Sequence, residues 1–122
     1  MDAPTNLDTY QKEELMQIAN LFKILGEPNR LMLLEKIIEG YQCNCDLGEA
    51  LSLAPNLVSH HLSVLCESGL VNSKRDENDG RWIFYSINEE KLNSINVLLA
   101  RFFDESRIEP CLSCCGRQRG DK

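Results

Sequence analysis

Cysteine is the residue type most able to do chemistry in this sequence, and its six copies in 122 residues are unevenly placed. Cys43 and Cys45 form a C-x-C pair, Cys111, Cys114 and Cys115 crowd the C-terminal stretch, and Cys66 stands alone. Thiolates are soft ligands, suited to soft or borderline ions and to trivalent arsenic or antimony, which take three sulfurs in a pyramid. A C-x-C pair supplies two of them from one short stretch. A helix start at that point is expected to lower the thiol pKa and favour the thiolate. A disulfide within C-x-C would be strained, so ligation is favoured over bridging.

Compartment decides how such thiols are read. No apolar run approaches a membrane span, and MDAPTNLDTY lacks the basic-then-apolar layout of a secretory leader. A cytoplasmic chain without membrane attachment is therefore expected, and clustered thiols there point to metal binding or redox chemistry. Several readings stay open at this point. Cys111, Cys114 or Cys115 could form the reversible disulfides of a redox switch. Cys43, Cys45, Cys111 and Cys114 could hold structural zinc. Cys43 and Cys45 could be a small buried pair, the tail thiols could be inconsequential, and Cys66 reads as packing. An enzyme is not expected: Cys111-Leu112-Ser113-Cys114 lacks the strand-then-helix setting of thiol oxidoreductases, and no nucleophile constellation accompanies it.

The elements that must position these residues follow from periodicity. Leu15, Ile18, Ala19, Phe22 and Leu25 make a helical stripe over about 8–25, ended by Gly26. Pro28 opens a second helix that runs to Gly40, with Leu31, Leu34, Ile37 and Ile38 directed inward. A short helix over 46–51 follows, with Asp46 near its positive end in a capping role. Pro55 opens a fourth helix, closed by Gly69, with Val58, Leu62 and Leu65 inward and Asn56, Ser59, His60, His61 and Ser63 outward. The two short helices form a helix-turn-helix. The period then changes to that of strands over 70–75 and 81–87, joined by Asp76-Glu77-Asn78-Asp79-Gly80, a hairpin or wing.

A last helix over 88–105 carries Leu92, Ile95, Leu98, Leu99 and Phe102. The expected class is mainly α with one β-hairpin. Residues 1–7 would be a flexible N-terminus, 8–105 one winged-helix domain and 106–122 a cysteine-bearing tail. The apolar faces of the first and last helices exceed what one small core can cover, which predicts a homodimer through them. The net charge of −6 excludes indiscriminate coating of nucleic acid but leaves room for a specific DNA-binding face.

The sequence is similar to the ArsR/SmtB family of metal-sensing repressors over about residues 14–105. The likeness rests on Leu25-Gly26-Glu27-Pro28-Asn29-Arg30, Cys43-Asn44-Cys45-Asp46-Leu47, Leu57-Val58-Ser59-His60-His61-Leu62, Leu65-Cys66-Glu67-Ser68-Gly69-Leu70-Val71 and Gly80-Arg81-Trp82-Ile83-Phe84-Tyr85, in that order. The resemblance implies an α1-α2-α3-α4-β-β-α5 winged helix and an obligate dimer. It also implies an operator of two-fold symmetry, released when a metal or metalloid binds.

In such a dimer the fourth helices would enter successive major grooves. That helix contains no Lys or Arg, so Asn56, Ser59, His60, His61 and Ser63 would meet base edges, and Lys74, Arg75 and Arg81 of the wing would hold phosphates. Trp82 and Tyr85 are expected in the core or an interface. Arsenic-sensing members commonly read C-x-C-D-L-C, and this chain has Gly48 where the third cysteine stands. The missing sulfur would come from Cys111, Cys114 or Cys115, since five or six extended residues reach roughly 17–20 Å. The expected inducer is arsenite, with antimony(III), cadmium or lead as alternatives. The family's zinc or cobalt site uses His on the last helix, and 88–105 contains none.

Overall fold

The computed structural model describes the backbone of residues 3–110 and the side chains of 11–110. Five α-helices and one hairpin follow in the order α1 (Ala3–Leu25), α2 (Pro28–Ile38), α3 (Asn44–Leu51), α4 (Pro55–Glu67), β1 (Val71–Arg75), β2 (Ile83–Ile87) and α5 (Glu89–Phe102), with a 3-10 turn at Glu105–Arg107. This is the expected helix-turn-helix with a wing.

Helix boundaries have local causes. A Cβ on Gly26 would lie 2.9 Å from the Phe22 carbonyl oxygen, so the α1–α2 corner closes only around glycine. Pro28 starts α2, and the Glu27 carboxylate caps it by accepting from the N–H groups of Asn29 (2.8 Å) and Arg30 (3.3 Å). Pro55 starts α4 in the same way. That helix ends where Gly69 turns to φ +89° and the Ser68 hydroxyl donates to the Leu65 carbonyl at 2.6 Å.

Some boundaries differ from the sequence expectation. α1 begins at Ala3 rather than near Asp8, drawing into the helix residues read as a loose arm. α3 begins at Asn44, with Cys43 as its N-cap residue. Asp46 therefore stands in the first turn, where its charge suits the helix dipole, and is not the cap. α5 stops at Phe102, three residues before the expected 105.

β1 and β2 pair antiparallel, from Val71 opposite Ile87 to Arg75 opposite Ile83. Leu33, Leu47, Leu62, Leu65 and Leu70 are fully buried where α2, α3, α4 and the hairpin meet. Each contributes on the order of 2 kcal/mol by leaving water. α5 has no fully buried residue and lays Leu92, Ile95 and Leu99 on the core's edge. Leu15, Met16 and Phe22 of α1 and Val97 and Phe102 of α5 remain exposed. Between these helices a cleft of about 440 Å³ is lined by Leu15, Ile18, Leu98 and Phe102, and Arg101 pairs with Glu14. No helix among the described residues is long and apolar enough to cross a membrane.

Candidate functional site

The recognition helix, α4, presents Asn56, Ser59, His60 and Ser63 to solvent on one face. Its first turn is ordered by the Asn56 side-chain oxygen, which accepts from the Leu57 N–H at 3.1 Å. His61, expected outward with them, is instead 6% exposed and faces α2. Arg30 is anchored by its Nε donating to the Ile24 carbonyl at 2.7 Å, and its Nη1 lies 3.5 Å from His61 Nδ1. A guanidinium only donates, so Nδ1 is the acceptor of this contact, while Nε2 lies 3.8 Å from the Glu27 carboxylate. Glu27, Arg30 and His61 thus fix the recognition helix against α2. His61 is therefore buried against α2 and is not presented with the outward residues of α4.

The wing holds its cations unequally. Lys74 and Arg75 are exposed on β1, and Arg75 donates to the Gly80 carbonyl across the turn. Arg81 donates to both carboxylate oxygens of Asp79, Nε at 3.1 Å and Nη2 at 2.8 Å. Those hydrogen bonds hold the Asp79 carboxyl below its ordinary pKa. Arg81, singled out for phosphate contact, is therefore paired within the wing itself. Tyr85 is buried in the core, whereas Trp82 is 40% exposed beside the turn.

The thiols lie at the start of α3. Cys43 is half-buried in extended conformation (φ −80°, ψ 138°) and makes an isolated antiparallel bridge with Phe84 of β2. The Tyr85 N–H donates to the Gln42 carbonyl at 2.8 Å, and Asn44 Oδ1 lies 3.5 Å from both Cys43 Sγ and the Ile83 N–H. The segment carrying the first thiol thus forms a rudimentary third strand of the wing. Cys43 lines an open cleft of about 420 Å³ with Tyr41, Asp46 and Phe84. Cys45 is exposed and lines a separate cleft of about 550 Å³ between α3 and α4, with Gly48, Pro55, Val58 and Ser59.

The helix start does not lower the Cys45 thiol as expected. Partial desolvation, then the negative charges of Glu49, Cys43 and Asp46, push it above its ordinary value. A Cβ on Gly48 would meet Val58 Cγ2 at 3.3 Å and the Leu53 carbonyl oxygen at 3.6 Å, so α4 packs closely against this position. Cys66 is half-buried, and burial raises its pKa despite a hydrogen bond with Ser73, consistent with packing. Cys111, Cys114 and Cys115 lie outside the described residues. Among the described residues no group of three or more His, Cys, Asp or Glu is gathered to hold a metal ion.

Sequence patterning missed three features. Leu57 is 43% exposed on the recognition helix, an apolar side chain among polar neighbours. The Glu27–Arg30–His61 lock was signalled only by charged residues flanking the start of α2. The Cys43–Phe84 bridge is non-local and left no local signal.

Comparison with known proteins agrees with this geometry. The model of the family described as "Bacterial regulatory protein, arsR family" matches residues 27–73, from the α2 cap into β1. The arsenical resistance operon repressor of Staphylococcus xylosus is 31% identical over 80 residues, covering 66% of this chain and 74% of that protein. The cadmium resistance regulatory protein CadC of Listeria innocua is 30% identical over 89 residues, covering 72% of each. The crystal structure of the transcriptional repressor BigR from Xylella fastidiosa superposes with a TM-score of 0.59 at 30% identity, over 79% of this chain and 95% of that one. The chain belongs to the arsR family: it is a DNA-binding winged-helix transcriptional repressor and not an enzyme.

Proposed function

We propose that this chain is a homodimeric repressor that leaves its operator when Cys43, Cys45 and one thiol of the C-terminal stretch bind trivalent arsenic. The observation that carries the reading is the position of the C-x-C segment. Cys43 is bridged to the wing strand, and Cys45 opens onto the cleft beside the recognition helix. The described residues supply two soft donors from one turn of chain, a partial fit to a three-thiolate site, and Gly48 leaves the third to Cys111, Cys114 or Cys115. The arsenical resistance repressor among its relatives supports the metalloid class.

Dimerisation is supported by the exposed apolar residues of α1 and α5, of which Met16 is 66% exposed. In the dimer, Asn56, Ser59, His60 and Ser63 of each α4 face base edges, and Lys74 and Arg75 hold phosphates. Gathering Cys43 and Cys45 toward a third thiolate pulls on two attachments at once. One is the Gln42–Tyr85 hydrogen bond and the Cys43–Phe84 bridge to the wing; the other is the packing of α3 on α4 through Leu47 and Val58. Both DNA-contacting elements are thereby displaced together.

A cadmium or lead response by the same scaffold is the second reading. It is favoured by Asp46 and Glu49, which place carboxylate oxygens close enough to raise the Cys45 pKa, and by the CadC relative. Fluorescence anisotropy of the reduced full chain on DNA from its own upstream region separates the two. Release by micromolar arsenite, lost in a Cys43→Ser, Cys45→Ser variant, is the expected result. Release by cadmium alone moves the chain to the second reading. Bound DNA that neither ion releases overturns both.

A further inference from the structure

We propose that Leu57 is a specificity-determining residue that reads the C5-methyl group of a thymine in each operator half-site. The proposal rests on the reading of α4 as the recognition helix and is independent of which inducer the thiols take. Leu57 is the third residue of α4, in the turn whose side chains reach base edges when such a helix enters the major groove. It is 43% exposed, and after Pro55 the other exposed residues over the first turns, Asn56, Ser59, His60 and Ser63, are polar. Val58, Leu62 and Leu65 make the helix's contribution to the core, and Leu57 belongs neither to that core cluster nor to the apolar side chains packed against it.

The chemistry of the groove accounts for an apolar side chain at 57. Of the four bases, only thymine presents an apolar group there, and aliphatic side chains pack against that methyl. The rest of the helix is consistent with this preference. α4 has no Arg or Lys to pair bidentately with guanine. The Asn56 oxygen is engaged by the Leu57 N–H, so its amide hydrogens are the groups turned to base acceptors such as thymine O4 or purine N7. The first turn therefore offers a hydrogen-bond donor next to an apolar contact.

Deoxyuridine differs from thymidine by that methyl alone, which makes the contact separable from base pairing. Duplexes enriched from a random library by the full-length chain, without metal, serve as probes, and each thymine is replaced singly by deoxyuridine. At one thymine per half-site the wild-type chain is expected to lose about fourfold in affinity, the worth of one buried methyl group. Leu57→Ala is expected to bind thymine and uracil duplexes alike at that position, and Leu57→Met to keep most of the difference. Circular dichroism of the exposed-site variants checks that α4 is intact.

Enriched sites without a methyl-sensitive thymine overturn the proposal, as does a Leu57→Ala chain that keeps the full uracil penalty. Ser59→Ala and His60→Ala separate the two levels of the argument. If they change the enriched sequence while Leu57→Ala does not alter the uracil penalty, only the role of Leu57 falls. If none of these substitutions alters the sequence, the recognition-helix reading falls with it.

Discussion

Helices α2 and α3 begin in opposite ways. α2 starts under a charged cap: Glu27 takes two backbone N–H groups and also faces His61, so the cap, the helix and the recognition helix are tied through one carboxylate. α3 starts at Cys43, whose side chain caps nothing, and its first turn carries Cys45 and Asp46 in place of a satisfying acceptor. Uncapped helix starts are unfavourable by about 1 kcal/mol relative to Ser, Asn or Asp. One terminus is closed by a side chain and the other leaves its first-turn N–H groups without one. The start of α2 is a fixed frame closed by a side chain, whereas the start of α3 has no side-chain cap and is held instead through the backbone of its N-cap segment to the wing.

The most severe way to break this contrast is to remove the thiols. A Cys43→Ser, Cys45→Ser chain is expected to lose more than about 100-fold in metalloid affinity, beyond what loss of an outer-shell partner costs. Its unfolding temperature should stay within a few degrees of wild type. A large drop in that temperature would show the thiols to be structural.

Gly48→Cys sharpens the contrast by completing three thiols on α3 itself. In a chain whose Cys111, Cys114 and Cys115 are all replaced by Ser, this change is expected to restore at least about tenfold of the lost arsenite affinity. The new Cβ crowds Val58 at 3.3 Å, so a Val58→Ala background is the fair comparison. Titration of the two backgrounds side by side checks it, and no restoration in either would point to a site away from α3.

Glu27→Ala tests the fixed frame. Loss of the cap should cost about 1–2 kcal/mol, which lowers the melting temperature by roughly 5 °C or more in a domain of this size. Thermal denaturation reads the loss, and DNA affinity should fall because His61 and α4 lose an anchor. Arsenite affinity measured off DNA should not change. Smallest and opposite in sign is Cys43→Ser alone. A serine at the N-cap in extended backbone can accept from the first turn of α3, so stability should rise by about 0.5–1 kcal/mol while the response is lost. A functional residue that costs stability where it sits is the outcome this comparison requires.

Much of this arrangement was legible in the chain because its punctuation is strong. Pro28 and Pro55 set the starts of α2 and α4, and Gly26 and Gly69 set corners that tolerate no other residue cheaply. The start of α1 was not legible, since residues 3–7 add little to the apolar stripe from which the helix was recognised. His61 was misplaced because a polar residue one step from the apolar register reads as outward. Only the three-dimensional meeting of Arg30 and Glu27 with its two nitrogens makes burial affordable. The attachment of Cys43 to Phe84 joins residues 41 positions apart and follows from the path of the chain after Gly40, which no local pattern encodes.

The recognition helix without a single cation has a consequence for how this protein finds its target. Random duplex is held almost wholly through phosphate charge. Here the net charge is −6 and Arg81 is paired with Asp79, so a weak grip on random duplex is the expected outcome, measurable as a shallow salt dependence of nonspecific binding. On that expectation fewer molecules would be sequestered along the genome, and the search would proceed more by three-dimensional diffusion than by sliding. An emptied operator would then be refilled from the free pool rather than from neighbouring DNA, and its occupancy would follow the state of that pool with little lag.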